Sequence, residues 1–150
     1  LGIVPSFFSM HTFYWGDWHR DETLGPERAM RISPTQSALE RGMRFTEHHD
    51  APVALPSAIM ILHTTVNRTS RSGAVIGEDQ KVSPYIALKS LTEWAAWQYF
   101  EEDAKGTLAP GKRADLVILD RDPLAVPAAE LKDLQVLETV KAGETVYRAR

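Results

Sequence analysis

The sequence predicts an α/β fold built on a parallel sheet. Three observations carry that expectation. Gly2 to Met10 (GIVPSFFSM) is an apolar, aromatic run of strand length with little polar alternation, the pattern of a strand buried on both faces. Met43 to His48 reads as a second short strand. A loop and helical segments separate the two, so the order is that of a βα unit followed by the next parallel strand.

Taken in order, Pro5 weakens the first strand or marks its start, because proline cannot donate to a ladder. His11 to His19 (HTFYWGDWH) is polar and aromatic and reads as a loop. Gly25 to Met30 opens a short helix, with Pro26 at a tolerated first-turn position. Ser33-Pro34 begins another, with Ser33 as its N-cap and Gly42 closing it. Pro56-Ser57 starts a helix that runs to about Asn67, with Ala58, Ile59, Leu62 and Val66 on one face. Arg68 to Gly77 is rich in Ser, Thr and Gly and reads as loop. Ser83-Pro84 caps a helix carrying Ile86, Ala87 and Leu91, and Thr92-Glu93 caps the next. Trp94, Trp97 and Phe100 on that last helix sit at core spacing.

After Lys105 the texture changes. Gly106 to Arg113 is a turn-rich link, Ala114 to Asp120 a strand, and Pro127 to Leu134 a helical turn. Gln135 to Lys141 and Glu144 to Tyr147 form two strands about Ala142-Gly143, a tight hairpin signal. A domain boundary is expected near Ala104. It divides the chain into 1–104 and a mostly β segment, 105–150, too short for a robust core of its own.

The 150 residues carry 17 Lys and Arg against 20 Asp and Glu, a formal charge of −3, with 43% hydrophobic residues. That is ordinary globular composition, and its mildly acidic balance argues against a nucleic-acid partner. No apolar run approaches the roughly 18 residues of a membrane span, so no membrane partner is expected. The absence of cysteine excludes disulfides and thiolate chemistry. The chain opens on Leu1 without a basic and apolar leader pattern, which reads as a processed or truncated chain with a cytoplasmic location.

The densest chemical cluster is Glu47-His48-His49-Asp50-Ala51-Pro52-Val53, where a strand gives way to a loop. In parallel α/β folds such carboxyl ends carry active-site residues. Asp50 there could ligate a divalent metal or take a proton from water; equally, it could cap the loop while His48 and His49 serve as turn residues. His11 follows the first strand directly, with Asp17 and His19 nearby, and could bind substrate or a metal through neutral imidazole, or simply bond to backbone. His63 lies within a predicted helix and reads as structural. Neither a nucleophile elbow nor a Gly-rich phosphate loop is present.

His49-Asp50-Ala51-Pro52-Val53 resembles the strand-eight signature of the metal-dependent amidohydrolase superfamily, in its family-three branch, which includes N-substituted formamide deformylases. Leu24 to Ala29 (LGPERA) resembles the segment between that branch's seventh and eighth strands, and Ser83 to Leu88 with Thr92 resemble its following helices. Gly106 to Asp120 (GTLAPGKRADLVILD) is similar to the segment that returns the chain to a flanking β domain. Thr139 to Tyr147 is similar to its closing hairpin.

The resemblance implies a (β/α)8 barrel, which needs about 250 residues. On that frame 1–104 corresponds to strands seven and eight with their helices, and 105–150 to C-terminal strands of a β-sandwich. The strand-one His-x-His, the strand-four Lys or acid, and the histidines of strands five and six have no counterpart here. The family's metal centre, one or two ions and commonly zinc, would keep only Asp50. The resemblance thus implies hydrolysis of an amide or related C–N bond in a small molecule by a metal-activated water. Asp50 would be both metal ligand and proton carrier, with His11 and His49 as substrate contacts. His48-His49 stands where many relatives have Gly-Ser or His-Ser, a departure that alters substrate contacts. The missing N-terminal part of the barrel is the implied partner, and the isolated chain is expected to be inactive. Two alternatives stand beside this: a non-catalytic binding module on a partial scaffold, and a reduced metal site built from His11, His48, His49 and Asp50.

Overall fold

A computed structural model describes residues 2–150. The chain is mixed α/β, with two sheets and six helices among the described residues. The first sheet pairs β1 (Ser6–Phe7) with β2 (Thr46–Glu47) in parallel, in register Ser6 with Thr46 and Phe7 with Glu47. The parallel pairing is as the sequence implies, but both strands are far shorter than the apolar runs that suggested them. The first strand ends at Phe7, and helix α1 (Met10–Trp18) soon follows in the stretch expected to be a loop.

That helix lacks a periodic apolar stripe and a side-chain cap, and neighbours hold it in place. It buries Met10, Thr12 and Gly16. Gly16 is needed, since a Cβ there would lie 2.7 Å from Ile76 Cγ1. A π-helical turn, His19–Thr23, continues α1 into α2 (Gly25–Ala29). Helix α3 (Thr35–Glu40) follows, but Ser33 is not its cap. Ser33 lies one residue further out at φ +44°, and its hydroxyl is used elsewhere.

Helix α4 (Ala58–Asn67) starts as expected, with Ser57 Oγ accepting from Met60 N. Ile61 to Val66 are all buried, so this helix is enclosed on every side rather than on one stripe. Helix α5 (Pro84–Leu91) is capped by Ser83, whose Oγ accepts from Ile86 N, and α6 (Glu93–Gln98) follows at once. The main core gathers Phe45, Leu62, Val66, Val82, Ala87 and Trp94. Phe45 meets Trp94 edge-on with ring centres 5.4 Å apart. Phe100, expected in this core, is instead 91% exposed. It follows the last turn of α6 at φ +59°, which swings it off the helical face.

The second sheet is antiparallel: β3 (Leu116–Leu119), β4 (Val136–Lys141) and β5 (Glu144–Arg148), in that spatial order. Ala142 at φ +51° and Gly143 at φ +85° form the expected two-residue hairpin loop. The expected turn at Pro127–Leu134 is a short 3-10 helix, Ala128–Asp133, whose Leu131 joins the main core together with Leu134. Among the described residues no helix is long and apolar enough to cross a membrane.

Candidate active site

Because β1 and β2 are parallel, the residues that leave their carboxyl ends emerge on the same side. Those after β1 are Phe8, Ser9 and, on the first turn of α1, His11. Those after β2 are His48, His49 and Asp50. His48 N donates to Phe7 O at 2.9 Å and closes the two ends together.

A second tie comes from Glu47. Its carboxylate accepts from Ser9 Oγ at 2.7 Å and from Ser9 N at 3.1 Å. Burial pushes this carboxyl up to about 8, against the opposing pull of the Ser9 bonds and the Arg68 charge. The residue is half-buried, and its carboxyl is the enclosed end.

Phe8 is the hub of the ring cluster. His48 stacks on it with ring centres 5.6 Å apart at 24°, His11 lies 5.6 Å away, and Trp15 6.1 Å. His19 meets His11 edge-on at 5.3 Å. Ser33 Oγ lies 3.0 Å from His11 Nε2. Burial, reinforced by His19, Arg68 and His48, lowers the His11 imidazole to about 4, so it is neutral at pH 7.

Arg68, at the C-terminus of α4, is wholly buried. Its guanidinium donates to three backbone carbonyls: Ile76 by Nε at 2.7 Å, Ser33 by Nη1 at 3.0 Å, and Ile32 by Nη2. Among the described residues no carboxylate bonds it directly. Burial lowers it to about 10, with Glu47 and Asp79 opposing, so the charge persists.

The three residues singled out in the sequence fall into different settings. His11 is at the centre of the ring cluster. His49 is half-buried, and its Nε2 is enclosed without a hydrogen-bond partner among the described residues. Asp50 is exposed, at φ +55°, and its carboxylate enters no hydrogen bond or ion pair among the described residues. The strand ends at Glu47, so Asp50 lies beyond it on irregular backbone. The reduced metal site fails: among the described residues no three His, Asp or Glu groups are arranged to hold an ion. His63 is structural, buried in α4 and 3.1 Å from Asn67 Nδ2.

Sequence reading passed over Ser9 and Arg68, took Ser33 for a helix cap, and named Glu47 in its cluster without giving it a role. Glu47 carried a signal, an acid inside a strand whose neighbour two residues back is Phe45. Arg68 carried none, since it opens a polar loop like any surface residue. A surface cavity of about 480 Å3 lies elsewhere, lined by Ile3, Val4, Met43 and Arg44 at the amino ends of the strands and by Trp97 and Phe100.

The amidohydrolase family pattern matches residues 1–147. The chain belongs to the amidohydrolase family. This amidohydrolase chain is 32% identical over 135 residues to the N-substituted formamide deformylase of Arthrobacter pascens, covering 90% of the chain and 25% of that protein. Its fold is similar to that of an uncharacterized metal-dependent hydrolase from Pyrococcus horikoshii OT3, with a TM-score of 0.69 and 26% identity, over 84% of this chain and 26% of that one. A second uncharacterized metal-dependent hydrolase, from Pyrococcus furiosus, matches with a TM-score of 0.61 and 25% identity, over 79% of this chain and 24% of that one. The chain therefore spans about a quarter of the length of these relatives.

A metal does not fit the chain's own residues. Catalytic zinc usually takes three protein ligands, and Asp50 offers one carboxylate without a neighbouring donor set.

Proposed function

We propose that this chain is the C-terminal part of a metal-dependent hydrolase that cleaves an amide or related C–N bond in a small molecule. In this reading β1 and β2 are strands seven and eight of a (β/α)8 barrel within 1–104, and 105–150 supplies C-terminal strands of a β-sandwich. One observation carries it. Two parallel strands, each with a single partner among the described residues, present His11, His48, His49 and Asp50 from their carboxyl ends, where barrels place their chemistry.

Asp50 is the catalytic group. Its carboxylate takes a proton from the attacking water as the new C–O bond forms. It returns that proton to the nitrogen as the C–N bond breaks. Its freedom from other hydrogen bonds suits a group that must accept and release a proton. His11 and His49 contact the substrate, one as a held neutral imidazole and the other through its unpartnered Nε2. A divalent metal, zinc in this proposal, would be held by Asp50 only together with residues beyond this chain and would activate the attacking water, so the chain alone is inactive. The rest of the barrel is its necessary partner.

The test is Asp50→Asn in the whole protein, assayed on an N-substituted formamide. Turnover should fall by about 10²–10⁴-fold, the range for losing a general acid–base. Turnover within a few-fold of the parent, with metal fully loaded, would remove Asp50 from the chemistry.

A further inference from the structure

We propose that Ser33 is a positioning residue that holds His11 by one ring nitrogen and leaves the other for the substrate. The proposal rests on the reading that His11 touches substrate. Ser33 Oγ lies 3.0 Å from His11 Nε2 and serves no helix cap, although its sequence context suggests one. A neutral imidazole has one donor and one acceptor nitrogen. With Nε2 engaged, Nδ1 makes no hydrogen bond among the described residues.

The hydroxyl is placed by a strained and heavily braced backbone. Ser33 is buried at φ +44°, a conformation L-residues seldom adopt. Its carbonyl accepts from Arg68 Nη1 at 3.0 Å and from Thr35 N at 2.8 Å. Arg68 also grips the carbonyls of Ile32 and Ile76, so one guanidinium joins the turn before α3 to the loop after α4. Gly77 makes room for this, because a Cβ there would lie 2.1 Å from Met30 O and 3.2 Å from Arg68 Nη2. Arg68 thus fixes the turn, the turn fixes Ser33, and Ser33 fixes His11. Phe8 and His19 flank the imidazole and limit its rotation. Strain held in place by neighbours is common at functional sites, and a buried arginine spent on three carbonyls is a costly brace for an ordinary turn.

The experiment uses Ser33→Gly and Ser33→Ala in the whole protein labelled with nitrogen-15 histidine, with His11 assigned through His11→Gln. Both variants remove the hydroxyl. Glycine relieves the positive φ, whereas alanine keeps it, so a backbone role separates the two and a hydroxyl role does not. Both should shift the His11 ring-nitrogen signals and lower kcat/KM for an N-substituted formamide about tenfold, mainly through KM, as expected for one lost hydrogen bond. Unchanged ring signals in both, or an effect confined to Ser33→Ala, would overturn the proposal. Shifted signals with parental kinetics would overturn it too, since the hydroxyl would then position a ring that substrate does not meet. A large loss in Asp50→Asn beside silent Ser33 variants leaves the hydrolase reading standing and removes only this one. Parental turnover in Asp50→Asn beside affected Ser33 variants removes Asp50 from the chemistry and leaves this proposal standing.

Discussion

Between Ser6 and Gln98 the strands are two residues long and helices carry the structure, whereas between Leu116 and Arg148 a three-stranded ladder runs with little of it buried. The two regions also differ in that, among the described residues, only the helical one holds groups that burial shifts against their charge. In the helical region Glu47 is raised and His11 lowered, each away from its charged form, because burial dominates. In the β region Asp120 is lowered first by the backbone N–H of Gln135, and Glu138 first by Thr145 and then Arg148, each toward its charged form. Side chains shifted against their charge mark places where the fold holds groups that water would prefer to keep. That happens here at the strand ends and along α4, at Glu47, His11, His63 and Arg68, and among the described residues the sheet at the far end of the chain shows none of it.

The largest effect expected from this contrast is in packing. Phe45 is 0% exposed and touches the Phe7 and Trp94 rings, so Phe45→Ala should cost about 3–5 kcal/mol. Val146, 60% exposed on β5, should tolerate Val146→Thr within about 0.5 kcal/mol. Denaturant unfolding of the whole protein gives the two values. Hydrogen exchange should place the Phe45→Ala loss in α4 amides. Equal costs would mean that the sheet is packed as firmly as the helices.

How much of this the sequence disclosed depends on where each side chain spends its polar atoms. Ser57 and Ser83 bond within their own helix starts, so α4 and α5 were legible from local pattern. Ser9 and Ser33 bond across the fold, to Glu47 and His11, and the same residue type misled or said nothing. Helix α1 was missed because its aromatics follow no helical stripe: Phe13 meets Tyr14 edge-on and Tyr14 meets Trp15 at a tilt, so the rings pack on one another along the helix. The hairpin was legible because Ala142-Gly143 dictates its turn alone. For the site, the His49-Asp50 motif and His11 were visible as residues. Their bracing by Arg68 was not, since nothing local separates a buried arginine from an exposed one.

The next effect is on pH dependence, and it belongs to the helical region. The folded Glu47 carboxyl titrates near 8 and the unfolded one near 4.5. The folded state therefore binds the extra proton between those values, and stability from this group is full at low pH and is lost as pH rises through about 8. His11 has the opposite sign. Its folded value is about 4 against 6.5 unfolded, so its contribution is present above 6.5 and is lost as pH falls through about 4. Between 4.5 and 6.5 the two slopes oppose each other. From 6.5 to 8 Glu47 acts alone, and stability should decline. Glu47→Gln should flatten that decline, measured by unfolding at pH 6.5 and pH 8. A decline that persists in the variant would assign it to another group.

The smallest effect is in the β region, where local conformation rather than packing decides. Ala142 stands at φ +51° in the hairpin loop, a left-handed conformation that strains a Cβ. Its side chain is exposed, so the methyl buries nothing to offset that strain. The loop's hydrogen bonds use backbone donors only: Ala142 N to Asp115 Oδ1 at 2.8 Å and Gly143 N to Ala114 O at 3.0 Å. A substitution at 142 leaves both in place. Asparagine tolerates this conformation and is favoured before glycine in such loops, so Ala142→Asn should stabilise the hairpin by up to about 1 kcal/mol. Ala142→Gly should gain less, because glycine relieves the strain but frees the unfolded chain as well. Amide exchange along β4 and β5 in the whole protein reads the order, with exchange slowest for asparagine, then glycine, then alanine. If alanine exchanges slowest, the turn is held by contacts from outside the hairpin, and the β region is not governed by local conformation at all.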